Sequence, residues 1–376
     1  MYLENINQPS DVKKLSMDQL NILAQEIRTV LMKRMSIKGG HFGPNFGVVE
    51  ATIALHYVFH SPVDKIVFDV SHQSYCHKIL TGRKDAYLIP ERYDEVSGYS
   101  CPEESEHDFF NVGHTSTSVS LACGLAKARD LVNGDGNVIA FIGDGALSGG
   151  EAFEGLDFAH ELNSNLIVVV NDNGMSIAEN HGGLYQNLKN LRDTDGTYDC
   201  NYFKTLGFDY HFVKNGHNIA QLIDVFMKVK DTKYPTVVHI CTTKGKGYCL
   251  AEKNKEDWHF RPPFYPENGN TRRVMAGENY DDIACEFLLH KMKQDPKVVA
   301  VVAAVPATIG FTREKRELAG KQFVDVGIAE EHAIAMVAGI AKGGCKPVLP
   351  LILAFIRGHT IRCHKNCVLT VVLQLC

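Results

Sequence analysis

The sequence predicts an α/β fold in which a parallel sheet is flanked by helices. Two runs, residues 137–142 and 165–170, are short, β-branched and almost entirely apolar, as buried parallel strands are. A helix-length segment with apolar residues at helical spacing joins them. Each run ends in a polar turn, Gly-Asp-Gly at 143–145 and Asn-Asp-Asn at 171–173. Strands that alternate with helices are typical of parallel sheets covered on both faces.

The first unit is expected to extend from residue 1 to about residue 250. Helical patterns cover 15–35, 48–59 and 116–131, and further strands are expected at 65–70 and 236–241. Ser148 and Glu151 match the capping-box pattern. A helix is therefore expected to begin just after the Gly-Asp-Gly turn.

A linker and a second, incomplete α/β unit are predicted for the rest of the chain. Residues 251–277 are polar, contain proline and lack periodicity, and Trp258 and Phe264 are expected to attach them to the body. The second unit, 278–376, should contain helices to about 294 and at 329–341, with strands at 298–303, 322–326 and 347–354. The chain ends in an apolar run at 368–375. An uncovered strand of this kind invites pairing with another chain or aggregation.

The composition is that of a globular, cytoplasmic protein without a nucleic-acid or membrane partner. The 376 residues are 45% hydrophobic, and the net charge of −5 comes from mixed charges without a basic stripe. No apolar run reaches transmembrane length, and the amino-terminal residues lack a targeting pattern. Eleven cysteines without framework spacing fit a reducing compartment. Cys363 and Cys367 around His364 are a weak metal pattern, since no second pair accompanies them.

The two polar turns predict a site for a divalent metal and a diphosphate. Both turns follow strand ends, where open α/β sheets bind ligands, and the following helix start favours a phosphate. Gly143 and Gly145 allow close backbone approach. The Asp144 carboxylate and the Asn173 amide oxygen are ligands that Mg²⁺ takes, and the Met175 carbonyl is expected as the third. Gly-Asp-Gly alone is also an ordinary turn, but the ordered strand, helix, strand and Asn-Asp-Asn favour the metal site.

Several long motifs resemble the 1-deoxy-D-xylulose-5-phosphate synthase family of transketolase-like enzymes, in the right order and up to about residue 355. They are GGHFGPNFGVVEATIALHYVF (39–59), FDVSHQSYCHKILTGRK (68–84), VGHTSTSVSLACGLAKARDL (112–131), NDNGMSIAEN (171–180), TKGKGY (243–248) and VDVGIAEEHAIAMVAGIA (324–341). The resemblance implies a homodimer that uses thiamine diphosphate and Mg²⁺. It also implies decarboxylation of pyruvate and ligation to glyceraldehyde 3-phosphate, in the synthesis of isoprenoid, thiamine and pyridoxal precursors.

The resemblance assigns catalytic residues as well. Glu330, at the start of the Glu-Glu-His triplet, is expected to hydrogen-bond the pyrimidine nitrogen of the cofactor as a buried acid with a raised pKa; the alternative is a solvated acid at a helix start. His41, His72 and His77 are expected to orient pyruvate, bind the diphosphate or move protons, although a histidine is often only a packed core or surface residue. His259 is expected either to reach the acceptor substrate or to pack.

Further residues are expected to bind the cofactor through backbone amides or at its far end. The turn at 113–115 precedes a helix, and a simple cap by Thr115 or Ser116 is compatible with cofactor binding. Tyr248 matches a tyrosine of the family, whereas Lys244 and Lys246 could belong to a solvated loop. The predicted cofactor contacts are His72, Gly113, His114, Thr115, Gly145, Ala146, Asn173, Tyr248 and Glu330.

The chain also departs from the family pattern. Family members continue through a further domain that carries acceptor-binding arginines and a histidine, and the run FIRGHTIRCHKNC from Phe355 does not match them. One hypothesis is a synthase, or one half of a split synthase that a complementing chain completes. The other is a truncated, inactive paralogue that binds cofactor or a partner without turnover. Transketolase proper fits DVSHQSYCHKILTGRK and AEEHA less well.

Overall fold

The structure, a computed structural model, describes residues 1–272 and 279–350. Its strands are β1 Lys65–Phe68, β2 Val138–Gly143, β3 Ile167–Asp172, β4 Asp209–Val213, β5 Thr236–Cys241, β6 Val298–Val302, β7 Phe323–Asp325 and β8 Lys346–Val348. They form a five-stranded sheet in the order β1-β2-β3-β5-β4 and a three-stranded sheet in the order β7-β6-β8. All of these strand pairs are parallel. The predicted α/β fold is confirmed.

Helices cover both faces of the larger sheet. The α-helices are α1 Pro9–Val12, α2 Met17–Lys38, α3 Phe42–Gly47, α4 Val49–Val58, α5 Tyr75–Lys78, α6 Asp85–Leu88, α7 Ser118–Leu131, α8 Gly150–Leu162, α9 Gly183–Asp193, α10 Tyr202–Thr205, α11 Ile219–Val229, α12 Cys249–Lys253, α13 Tyr280–Gln294, α14 Arg313–Ala319 and α15 Glu330–Lys342. Short 3₁₀ helices occupy Leu3–Asn5, Pro90–Arg92, Asp144–Ser148, Ala307–Ile309 and Gly320–Gln322, and a π-helical turn occupies Ile79–Arg83.

The larger sheet is buried on both faces, because successive side chains of a strand point to opposite sides. Phe141 and Val169 lie in one core, with side chains of α2, α4 and α11. Ala140 and Val168 lie in the other, with side chains of α7, α8 and α9. This burial on both faces explains the nearly continuous apolar runs of β2 and β3.

The smaller sheet is also covered on both faces. Side chains of α13 and α14 pack with Val298 and Ala300 on one face. Side chains of α15 pack with Val301 on the other. The part of the predicted linker at 251–272 packs on the first unit, where Trp258 and Phe264 are buried as expected.

Several expectations differ from the observed elements. Ser148 and Glu151 do not form a capping box: Gly149 is the N-cap of α8, without a side-chain hydrogen bond. The Ser148 hydroxyl instead donates to the carbonyls of Gly145 and Ile328. The predicted helix at 116–131 begins two residues later, at Ser118.

Part of the carboxyl-terminal prediction has no counterpart in the described residues. β8 matches the beginning of the strand predicted at 347–354, and the remainder after residue 350 lies outside the described residues. The terminal run at 368–375 and the cysteine pair around His364 lie there too. Within 1–272 and 279–350, no helix combines the length and the apolar character needed to cross a bilayer.

Candidate functional site

A cavity of about 240 Å³ lies at the carboxyl ends of the strands, between the two sheets. Asp144 and Asn173 line it from β2 and β3, and Glu330 lines it from α15. Most predicted site residues meet here. The predicted residues in the lining are His41, His72, Gly113, Thr115, Asp144, Gly145, Ala146, Asn173, Met175, His259 and Glu330.

The two polar turns lie side by side, because β2 and β3 are parallel neighbours with Gly143 opposite Asn171. The Asn173 backbone N–H donates to Asp144 Oδ1 at 3.3 Å, and the Asn180 amide donates to Asp144 Oδ2 at 2.7 Å. Asn173 Oδ1 is buried and has no hydrogen-bond partner among the described residues. A buried acceptor of this kind is costly unless a ligand satisfies it.

The electrostatics of these turns suit a cation. Burial and the nearby charge of Asp172 raise the pKa of the Asp144 carboxyl to about 7, and a bound cation would relieve both effects. No group of three His, Cys, Asp or Glu side chains in the described ranges could hold a metal ion. A metal here would therefore need amide or backbone oxygens as well, such as those of Asn173 and Met175.

The Gly-rich turn before α7 is held by Asp69, a residue that the motif analysis did not single out. Asp69 Oδ1 accepts from the Ser116 backbone N–H at 2.8 Å, and Oδ2 accepts from that of Ser118 at 2.9 Å. The Ser116 hydroxyl then donates to the Ala146 carbonyl at 2.8 Å. Next to Asp69, Val70 has a φ of 56°. This conformation is strained for a β-branched residue, and such strain clusters at functional sites.

Three histidines lie together on one wall of the cavity. The ring centroids of His41 and His72 are 4.9 Å apart, and those of His72 and His259 are 5.3 Å apart. Asn45 joins their loops, because its amide donates to the carbonyls of His41 and His72. Burial and the charge of Lys244 lower the pKa of His41 to about 4, and burial holds the pKa values of His72 and His259 well below the usual range of histidine. All three rings are therefore neutral at pH 7.

Lys244 is a candidate functional residue that the sequence did not identify, because its glycine-rich neighbours are typical of a solvated loop. A solvated loop was one expectation, but the side chain is only 3% exposed, and its amine donates to the Ser176 carbonyl at 2.6 Å. Burial lowers its pKa to about 7, and the charge of Asp144 partly offsets this shift. A buried cation next to the two polar turns could counter the charge of an anionic ligand.

Glu330 is the first residue of α15 and is 6% exposed, so it is not a solvated acid at a helix start. The segment before α15 contacts the first unit, since Ser148 Oγ donates to the Ile328 carbonyl at 3.1 Å. Ala303, Ala304 and Val305, which follow β6, line the same side of the cavity. The second unit therefore brings an acid and apolar side chains to the turns of the first.

Two predicted residues lie elsewhere, and a third lies just beside the lining. His77 is in the core, within 3.0 Å of Asp108 Oδ1 and of His56 Nε2, and it is not among the residues that line the cavity. Its catalytic role stays a prediction. Tyr248 packs on Trp258 and donates to the Pro266 carbonyl, so it does not reach the cavity either. His114 is absent from the lining, although both of its neighbours line it.

The fold is that of a transketolase. The structure matches transketolase from Leishmania mexicana with a TM-score of 0.53 and 16% identity, over 92% of this chain and 65% of that one. Transketolase from Campylobacter jejuni subsp. jejuni gives a TM-score of 0.54 and 18% identity, over 92% and 66% of the two chains. At these identities the likeness concerns the fold alone.

The family follows from the sequence comparison. The family model described as 1-deoxy-D-xylulose-5-phosphate synthase matches residues 3–202 and 194–242, so this chain belongs to that family. Curated 1-deoxy-D-xylulose-5-phosphate synthases from Symbiobacterium thermophilum and Heliobacterium modesticaldum are 40% and 41% identical over 95% and 94% of this chain. The chain spans 60% of the length of each of these two relatives.

Proposed function

We propose that this chain binds thiamine diphosphate with Mg²⁺ and serves the formation of 1-deoxy-D-xylulose 5-phosphate from pyruvate and glyceraldehyde 3-phosphate. The main support is one observation: Asp144 and Asn173 meet at adjoining strand ends, and the Asn173 amide oxygen is buried without a hydrogen-bond partner in the described part of the chain. This donor set suits Mg²⁺ held beside phosphate oxygens.

The cavity residues fit this cofactor. Asp144, Asn173 and the Met175 carbonyl would hold the metal, and backbone amides of Gly113, Thr115, Gly145 and Ala146 would bind diphosphate or pyrimidine. His72 Nδ1 and His259 Nδ1 are buried without partners among the described residues, so they offer hydrogen-bonding positions to a ligand. On this proposal, residues 1–250 form the diphosphate-binding domain. Residues 278–376 then form part of the pyrimidine-binding domain.

The residues of the chain would position the cofactor and the substrates and transfer protons. Bound thiamine diphosphate supplies a nucleophilic carbon and an electron sink for decarboxylation. Glu330 would hydrogen-bond the pyrimidine ring from the second unit. His41, His72 and His259 are neutral, so each imidazole can donate one hydrogen bond and accept another, which suits the orientation of pyruvate and the acceptor. Apolar residues such as Val305 and Ile328 would exclude water from the cavity.

The assembly and location of the protein remain predictions. We infer a homodimer, or a pair with a complementing chain, in the cytoplasm. The second candidate is a paralogue that binds the cofactor without turnover, and the departure of the run from Phe355 from the family pattern favours it.

A product assay tests the proposal. The chain is supplied with pyruvate, glyceraldehyde 3-phosphate, thiamine diphosphate and Mg²⁺. It is assayed alone and together with a candidate complementing chain, the protein encoded by the reading frame next to its own. We expect little product from the chain alone and turnover from the pair. Turnover by the chain alone, at about 1 to 1000 per second, would refute the need for a partner. Cofactor binding without product in either sample would favour the inactive paralogue.

A further inference from the structure

A buried polar network lies behind the Asn-Asp-Asn turn, on the side away from the cavity. Its centre is Asp172, whose side chain is fully buried. Arg192 of α9 contacts both carboxylate oxygens, at 2.6 and 2.5 Å. His239 of β5 donates to Oδ2 at 2.9 Å, and the Tyr210 hydroxyl lies 2.8 Å from the other nitrogen of that ring.

The network holds the shape of the turn. Asp172 Oδ1 also accepts from the Gly174 backbone N–H at 3.1 Å. This bond spans Asn173 and fixes the backbone on both sides of it. Gly174 has a φ of 72°, a left-handed conformation that glycine adopts without steric cost. The orientation of the Asn173 side chain therefore depends on where the Asp172 carboxylate is held.

Arg192 also supplies the charge that this arrangement needs. The guanidinium of Arg192 and the ring of His239 donate to the buried carboxylate oxygens of Asp172 and offset the cost of burying its charge. Without Arg192, two buried carboxylates would face each other with fewer compensating partners, and such pairs are strongly destabilised.

We propose that Arg192 is a positioning residue for the metal: its pair with Asp172 holds the turn in the conformation that presents the Asn173 amide oxygen to a divalent cation. Arg192 is not among the residues that line the cavity, and its hydrogen bonds at this turn go to Asp172. The inference rests on the proposed function, because it assumes that Asp144 and Asn173 hold Mg²⁺ for thiamine diphosphate. Residues that orient metal ligands in this way typically change metal affinity 10- to 100-fold when they are replaced.

The test is a Mg²⁺ titration at a fixed, saturating concentration of thiamine diphosphate, followed by calorimetry. Arg192→Met removes the charge and both contacts, and Arg192→Lys retains the charge. Lys189→Met is the matched control, since Lys189 forms an exposed ion pair with Asp193 on the same helix. Thermal melting without cofactor, monitored through the single tryptophan Trp258, reports whether each variant is folded.

We expect Arg192→Met to weaken the apparent Mg²⁺ affinity about 10-fold or more, Arg192→Lys to fall between it and the unmodified chain, and Lys189→Met to have no effect. A folded Arg192→Met protein with unchanged Mg²⁺ dependence would overturn the inference. If that variant does not fold, Arg192→Lys decides in the same way, and unchanged affinity there refutes the role. Absence of Mg²⁺-dependent binding in the unmodified chain would instead refute the proposed function.

Discussion

At the scale of single residues, burial suppresses the ordinary charge of groups that line the cavity or lie beside it. His41, with a pKa of about 4, is neutral at pH 7, and Lys244 and Asp144 both have pKa values near 7. Perturbed titrations of this kind cluster at functional sites. A bound diphosphate would place negative charge near Lys244, and a bound divalent cation would place positive charge near Asp144.

Lys244→Met tests this account through the pH dependence of stability. The pKa of Lys244 in the folded state is lowered to about 7 from the ordinary lysine value of 10.5, so the folded state binds the proton less well than the unfolded state. Stability of the cofactor-free chain therefore rises with pH between about 7 and 10.5. We expect Lys244→Met to raise the free energy of unfolding at pH 6 by more than about 1 kcal/mol, a gain that shrinks toward pH 10.5.

Denaturant unfolding across this pH range measures the effect. Lys253→Met, at an exposed position, should leave the pH profile unchanged. A Lys244→Met chain that is less stable than the unmodified chain at pH 6 would mean that the hydrogen bond to Ser176 outweighs the burial of the charge.

The residues of the site differ in how far sequence could identify them. Asp144 and Asn173 were predictable because they follow two strongly apolar strands, and parallel strands bring their carboxyl ends to one edge. Asp69 and Asn180 were not, since their roles depend on contacts between loops distant in sequence. His77 has the same local motif context as His72, and only the path of α5 decides that it enters the core.

At the scale of elements, a buried clamp holds the loop that carries Lys244. Arg28 of α2 donates to both oxygens of Glu50 on α4, at 2.5 and 2.7 Å. His217 donates to Glu50 at 3.0 Å and accepts from the Thr243 backbone N–H at 2.8 Å. The Arg28 guanidinium also donates to the Lys246 carbonyl. Two helices and the loop before α11 thus converge on residues 243–246.

Glu50→Gln tests this clamp. Burial would raise the pKa of Glu50, but hydrogen bonds from His217 and Arg28 lower it to about 2. The folded-state pKa is depressed, so the contribution to stability is present above pH 4.5 and is lost as pH falls toward 2. We expect the substitution to lower the free energy of unfolding at pH 7 by about 3 kcal/mol, because it leaves a buried charge without its partner.

Acid and urea unfolding between pH 2 and 7 measure the free energies of unfolding of Glu50→Gln and of the unmodified chain. The difference between the two should narrow below pH 4.5. Glu154→Gln on the exposed side of α8 serves as the control. A constant difference down to pH 2 would contradict the assignment of the effect to the Glu50 charge.

The strands whose positions the sequence predicts well are those marked by one clear feature, an apolar run between polar residues. β5 matches its predicted bounds, and β2 and β3 are displaced by one or two residues, since their apolar runs are bounded by polar turns. β4 was missed because it is an edge strand that contains Asp209 and His211. The predicted capping box does not form, because the chain makes a 3₁₀ turn at Asp144–Ser148 before α8 begins. The four-residue capping-box pattern does not reveal this turn.

At the scale of the whole molecule, the cavity exists only where the two units meet. Besides the bond from Ser148 to Ile328, Arg316 of α14 pairs with Glu256 at 2.9 Å and lies 3.5 Å from Glu179. Glu179 precedes Asn180, which contacts Asp144. The contact of the second unit with the first and the geometry of the two polar turns are therefore linked through the short loop that carries Glu179 and Asn180.

The most direct test of the central claim is calorimetric titration of thiamine diphosphate into the folded chain, with Mg²⁺ and with the metal chelated. The account predicts binding that requires Mg²⁺, that weakens about 10-fold or more in Asp144→Asn and that is unchanged in Asp157→Asn, an exposed control on α8. Binding that is absent, or equal with and without the metal, in a chain with a cooperative thermal transition would contradict it.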